Sequence, residues 1–197
     1  ISRLYELPVA VFDVESSGLK HLDRIIEISV VRVEHGSEPT LVFDSLIDPG
    51  RRITNSDIHG IRDGDVAGAP KFSEIASSVF NALEGCVLAA HNAYFDKRFL
   101  NKAFAGTRMP QVELPFFCLM YLRPLLGLGK RCTLQAACAA EGLDFQEQHQ
   151  AAADAFAAAS CWIRYRDLLA ANGVTTFGEF SRLRKYKFQE SFSLNPA

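Results

Sequence analysis

Three β-rich runs crowd the first 48 residues, at 9–14, 24–34 and 40–48, before any helical periodicity appears. The second and third are separated by His35, Gly36 and Pro39, residues that turn a chain rather than extend a strand. Such spacing predicts a three-stranded meander. Beyond a polar, Gly-rich stretch the period changes. Phe72, Ile75, Ala76, Val79, Phe80 and Leu83 recur at helical spacing over 71–83, and Gly85 stands ready to stop that helix. A strand at 86–90, a helix at 95–105 and a strand at 112–119 follow. Next comes a helix at 133–141, opened by Thr133 and closed by Gly142. Residues 151–171, rich in Ala, predict one long helix ended by Asn172 and Gly173, and 176–186 a short terminal one. A meander followed by alternating helix and strand is an α/β pattern: a mixed five-stranded sheet flanked by helices.

Composition narrows the function. The 21 Lys and Arg against 23 Asp and Glu give a net charge of −2, which excludes a protein that grips long nucleic acid by wholesale phosphate neutralisation. Any contact with nucleic acid is therefore expected to be local. No apolar run approaches the ~20 residues of a membrane helix, and the opening segment lacks a charged-then-apolar leader pattern. Five cysteines, an odd number without a C-x-x-C pair, read as buried reduced thiols; the expected setting is the cytoplasm, with no membrane partner.

Four acids attract attention for different reasons. Asp13 and Glu15, in VFDVESSG, are two residues apart on a predicted strand, so their side chains project together. Two neighbouring carboxylates in an apolar setting call for a proton, a cation or a metal, and no Lys or Arg follows nearby until Lys20. The alternative is that the strand has ended and both are solvated above a Ser16-Ser17-Gly18 turn. Asp96, in AAHNAYFDKRFL, fits a helix cap as readily as a ligand. Asp154, in HQAAADAFAAAS, fits a solvated helix face or a carboxylate given room by small neighbours. His149 precedes Asp154 by five positions, about 500° of helical rotation, so the two converge only if His149 lies before the helix proper.

Taken in order, these segments resemble the DEDDh (DnaQ-like) exonuclease family. Its first motif is similar to Phe12-Asp13-Val14-Glu15-Ser16-Ser17-Gly18, its second to His91-Asn92-Ala93-Tyr94-Phe95-Asp96, and its third to His149 followed by Asp154. Ile58-His59-Gly60-Ile61, with Ala69-Pro70-Lys71-Phe72 after it, resembles the linking segment of bacterial proofreading subunits of the DNA polymerase III epsilon type. The likeness spans roughly residues 8 to 170, with Ser16-Ser17 where Thr-Thr is common. It implies a ribonuclease-H-like fold, an exonuclease domain over 1–175 and a helical tail over 176–197.

The resemblance also implies a chemistry: 3′→5′ hydrolysis at nucleic-acid 3′ ends with two divalent ions, Mg²⁺ or Mn²⁺, releasing nucleoside 5′-monophosphates. Asp13 would bridge both ions, Glu15 and Asp154 would support the one that activates water, and Asp96 would hold the other through water. His149 would be the general base. Ser16, Ser17, Leu19, His59, Asn92 and Phe95 would contact the terminal nucleotide. Two such ions turn the formal −2 into about +2, so the metals rather than a basic surface attract phosphate.

The HGI segment points toward DNA, with RNA trimming the alternative within the family; the expected partners are a single-stranded 3′ end and a DNA polymerase or repair assembly. A phosphatase of the haloacid-dehalogenase type would need Asp where Glu15 stands. A non-catalytic docking module would have no use for all five candidate catalytic residues. The tail Arg182-Leu183-Arg184-Lys185-Tyr186-Lys187-Phe188 interleaves cations with aromatics but is equally a solvated helix face.

Overall fold

The computed structural model describes residues 3–109, 114–145 and 150–183. Strands β1 (Val9–Ser16), β2 (Ile25–Val33) and β3 (Thr40–Leu46) form the expected antiparallel meander. β4 (Val87–Ala90) and β5 (Phe116–Cys118) add in parallel on the far side of β1, giving the order β3-β2-β1-β4-β5. Burial follows this order. Interior β4 is buried at all four positions, and edge strand β3 is half-buried or exposed throughout. The ladder slips between Glu15 and Ser16: Glu15 faces Glu27 but Ser16 faces Ile25, so Ile26 bulges out of register.

Helices α1 (Ser56–His59), α2 (Phe72–Leu83), α3 (Ala93–Ala105), α4 (Leu119–Leu125), α5 (Leu134–Glu141), α6 (Ala151–Ala171) and α7 (Phe177–Phe180) complete the described chain. α6 begins and ends where its Ala-rich run does. Its buried Ala155, Ala158, Ala159 and Trp162 fall at helical spacing, and α6 packs across β1 and β2. Methyl side chains let the helix lie close to the sheet, and Trp162 then fills the space beside Phe117 at 4.6 Å between ring centroids. Thr133 caps α5 by accepting the Ala136 N–H, and Gly142 closes it in the left-handed region at φ 67°. Phe177 and Phe180 of α7 are buried, the latter edge-on to Phe117.

Four expectations shift. α3 starts at Ala93, two residues early, because Asn92 turns directly out of β4. The strand expected at 112–119 is three residues long among those described, since Leu119 already opens α4; positions 112 and 113 lie outside the described residues. α4 itself, LMYLRPL, is apolar nearly all round and carries Pro124, so neither periodicity nor breaker rules revealed it. α7 ends at Phe180 rather than near 186, and 184–186 are outside the described residues.

Candidate active site

β1 pairs with β4 over Val9 to Val11 only. Beyond that point β4 has ended and the chain turns into α3. A buried strand N–H without a partner is costly, and the first turn of α3 supplies one: Val14 donates its N–H to Asp96 Oδ1 at 3.3 Å. Asp96 is thereby drawn against β1 between Asp13 and Glu15, with 4 % of its surface exposed. The capping reading of Asp96 gives way to this contact, for Asn92 is the N-cap residue of α3 and no side chain caps it.

Asp13 and Glu15 are both half-buried near the end of β1, as period-two geometry requires. Asp154 reaches them from the first turn of α6. One carboxylate oxygen from each of Asp13, Glu15 and Asp154 lies within 4.8 Å of the others. Burial holds Asp13 well above the usual carboxylate range, reinforced by Asp96, Glu15, Asp154 and Glu27. Burial, then Asp154, Glu27 and Asp96, push Glu15 up to about 8. Asp96 is raised by burial to about 7 although the Val14 N–H pulls it down. Burial raises all three, and for Asp13 and Glu15 the negative charge collected at this edge adds to it. Three hard oxygen donors within this compass fit a divalent cation, and Asp96 stands beside them.

The loop after β1 is built tightly. Ser16 Oγ donates to Gly18 O at 2.9 Å, while Ser17 Oγ accepts the Arg24 N–H and donates to Asp23 Oδ1. Both serines are buried, so the Ser17 hydroxyl is committed to the loop itself. Gly18 has no room for a side chain: a Cβ there would stand 2.5 Å from Asp23 Oδ2 and 2.7 Å from Thr54 Oγ1. Leu19 follows it with 61 % of its surface exposed. His59 is buried, and its Nδ1 accepts the Ile61 N–H at 3.1 Å. Asn92 is exposed at the start of α3, and Phe95 is half-buried against Phe99. Position 149 lies outside the described residues, as does the tail from 184 onward.

One residue of this region escaped the sequence reading. Glu27 on β2 stands opposite Glu15 in the ladder, and its Oε2 accepts the N–H of Ala151, the first residue of α6, at 3.0 Å. Burial raises it, opposed by that Ala151 N–H, with Asp44 and Asp154 adding to the rise. A Glu in IIEISVV looks like an outward-facing strand residue. Its signal was the like-charged Glu15 across the ladder, which becomes visible only with the register.

Comparison with known proteins agrees with this geometry. A family model described as an exonuclease, RNase T, matches residues 10–162. The DNA polymerase III subunit epsilon-like protein of Rhodobacter capsulatus is 34 % identical over 193 residues, 93 % of this chain and 27 % of that protein. The DNA polymerase III subunit epsilon of Buchnera aphidicola is 32 % identical over 143 residues, 66 % of this chain and 61 % of its own length. This chain thus spans only about a quarter of the Rhodobacter relative.

Among solved structures, Exonuclease X in complex with 5′-overhanging duplex DNA is 27 % identical with a TM-score of 0.64, over 84 % of this chain and 93 % of that one. The nuclease domain of 3′hExo, a DEDDh family member bound to rAMP, superposes with a TM-score of 0.69 over 88 % of this chain and 96 % of that one, at 16 % identity. The fold is therefore the ribonuclease-H-like one that the motifs implied.

Proposed function

The chain belongs to the RNase T exonuclease family, and on that footing we propose that it is a 3′→5′ exonuclease acting on DNA, with Asp13, Glu15, Asp96 and Asp154 as its ion-holding residues. The observation that carries this reading is the meeting of Asp13 and Glu15 from β1 with Asp154 from α6 inside 4.8 Å. Two divalent ions, Mg²⁺ or Mn²⁺, bound there would activate the attacking water and stabilise the leaving 3′ oxygen. Asp13, flanked by all the other acids, is suited to face both ions. Glu15 and Asp154 would serve the side where water attacks, and Asp96 the other. Binding requires these carboxylates to release the protons that burial favours, so ion uptake and proton release are linked.

His149 is the proposed general base, since an imidazole of ordinary pKa accepts a proton at neutral pH. It stands five residues before Asp154 in the sequence. Exposed Leu19 would lie under the terminal bases, and Asn92, Phe95 and His59 would complete the nucleotide pocket. Ser16 and Ser17 would contribute through the backbone of the loop that their hydroxyls brace. DNA is favoured over RNA by the epsilon relatives and by Exonuclease X with its duplex. The same relatives favour a polymerase assembly as the working partner.

The test is a 3′-end-labelled single-stranded DNA and its RNA counterpart, each incubated with Mg²⁺ and wild type, Asp13→Ala or His149→Ala. Release of nucleoside 5′-monophosphates from DNA by wild type and its loss in both variants is expected. Variants as fast as wild type would remove the site assignment, and faster loss of the RNA label would reverse the substrate preference.

A further inference from the structure

α6 carries Asp154 into the acidic edge, yet nothing on α6 itself fixes where the helix begins. Gln150, its N-cap residue, makes no side-chain cap bond, and the next three residues are alanines. The first N–H groups of a helix have no intrahelical acceptor and carry partial positive charge. Here one of them is taken from 124 residues away, by Glu27 Oε2 on β2. A remote strand therefore does the work of an N-cap.

The geometry closes a ring. Glu27 lies directly across the β1–β2 ladder from Glu15. Glu15 meets Asp154, and Asp154 sits in the first turn of α6, its N–H donating to Gln150 O at 3.1 Å. From Asp154 the chain runs back three residues to Ala151, whose N–H returns to Glu27. When they ionise, as ion binding requires, the carboxylates of Asp13, Glu15 and Asp154 around this ring repel one another, which pushes the start of α6 away from β1. The Glu27 bond opposes that push. Glu27 itself adds negative charge to the cluster, so its presence is costly unless the position it enforces is needed.

Building on the ion-holding reading above, we infer that Glu27 is a positioning residue: it clamps the N-terminus of α6 and so sets where the Asp154 carboxylate meets Asp13 and Glu15. Residues that orient an ion's ligands typically change affinity by roughly 10- to 100-fold, and Glu27 would act on Asp154 in this way through the first turn of α6. An acceptor oxygen is required for the clamp; the negative charge is not.

Calorimetric titration of Mn²⁺ into the full chain tests this with three variants. Glu27→Ala removes the acceptor and is expected to weaken binding by about 10-fold or more. Glu27→Gln keeps an acceptor oxygen and is expected to bind within a few-fold of wild type. Ala151→Pro removes the donor: proline suits the first helical position and Gln150, at φ −113° and ψ 126°, already has the extended backbone that precedes it, while a thermal melt of the variant controls for the ring added at this fully buried position. It is expected to weaken binding as Glu27→Ala does, with no further loss when the two are combined.

If Glu27→Gln binds as poorly as Glu27→Ala, the residue acts through its charge and the clamp is overturned. Ala151→Pro binding like wild type overturns it as well, and so does a further loss of binding when Ala151→Pro is combined with Glu27→Ala. Wild type that takes up no Mn²⁺ would overturn the ion-holding reading itself, whereas wild type that binds with all variants unchanged overturns the clamp alone.

Discussion

The acidic edge and the helical layer behind it both bury ionisable side chains, under opposite rules. Between α4, α5 and α6, Arg123 donates to Glu141 Oε1 at 2.9 Å and to the Tyr165 hydroxyl at 3.3 Å, and Arg164 approaches the other Glu141 oxygen. Burial opposes the charge on Arg123, but its bonds to Tyr165 and Glu141 hold it above its ordinary value. Burial also lifts Tyr165 to about 12, with Arg123 pulling the other way. Opposite charges meet and hydrogen bonds answer them. At the edge, Asp13, Glu15, Asp96 and Asp154 gather with Glu27 behind them, and every named charge raises its neighbours. The difference separates a network of opposite charges that serves the fold from a gathering of like charges whose protons burial retains. Burial of charge marks neither; the sign of the neighbours does.

Substitution on the two sides should move different observables. Asp13→Ala is expected to lower single-turnover cleavage of labelled DNA by at least about 10³-fold, about 4 kcal/mol of transition-state stabilisation, while leaving the far-UV circular dichroism unchanged. Cleavage within tenfold of wild type would break the contrast at its strongest point. In the paired network, Glu141→Ala strands Arg123 with 8 % of its side chain exposed and should cost about 3 kcal/mol of unfolding free energy by urea titration. Its folded fraction should still cleave normally. A double change to apolar residues, Arg123→Met with Glu141→Leu, should recover most of that loss, since neither charge is then left alone.

A third expectation concerns pH. Glu15 is raised from 4.5 to about 8 and Asp96 from 3.8 to about 7, so between these limits the ion-free folded state keeps protons that the unfolded chain has given up. Stability is then lost as pH rises, from the unfolded values near 4 through the folded values near 7 and 8. Thermal melts in EDTA should fall steadily over this window, and Mg²⁺ should flatten the curve by replacing the protons. Asp13→Asn should make it shallower without metal, by removing the raised titration of Asp13 itself. A melt that rises with pH in EDTA would contradict the electrostatics of the edge. The smallest effect is expected at its rim: Leu19→Ala, at an exposed position, should change stability by less than about 0.5 kcal/mol and raise KM for oligonucleotides a few-fold.

Much of this was legible in the chain. Short β-rich runs located β1 to β4, helical spacing located α2, and cap residues and an Ala-rich run located α5 and α6, because each of these signals is local in the chain. α4 was not legible, since LMYLRPL has apolar residues on nearly every side and a proline in its last turn. α1 was missed for a different reason: four residues show no period at all. Glu27 was missed because an acid on a strand looks solvated until its neighbour across the ladder is known.

What the sequence determined by itself is the set of motifs and their order, and with them the family, because the strand spacing of Asp13 and Glu15 is a property of local backbone geometry. What only the tertiary structure decided is which acids share a site and what holds them there. Asp96 reads as a cap until β4 ends and leaves the Val14 N–H for it to accept. Asp154 reads as a solvated helix residue until α6 is laid across β1. Each depends on contacts between residues some 80 or more positions apart, which no local period encodes.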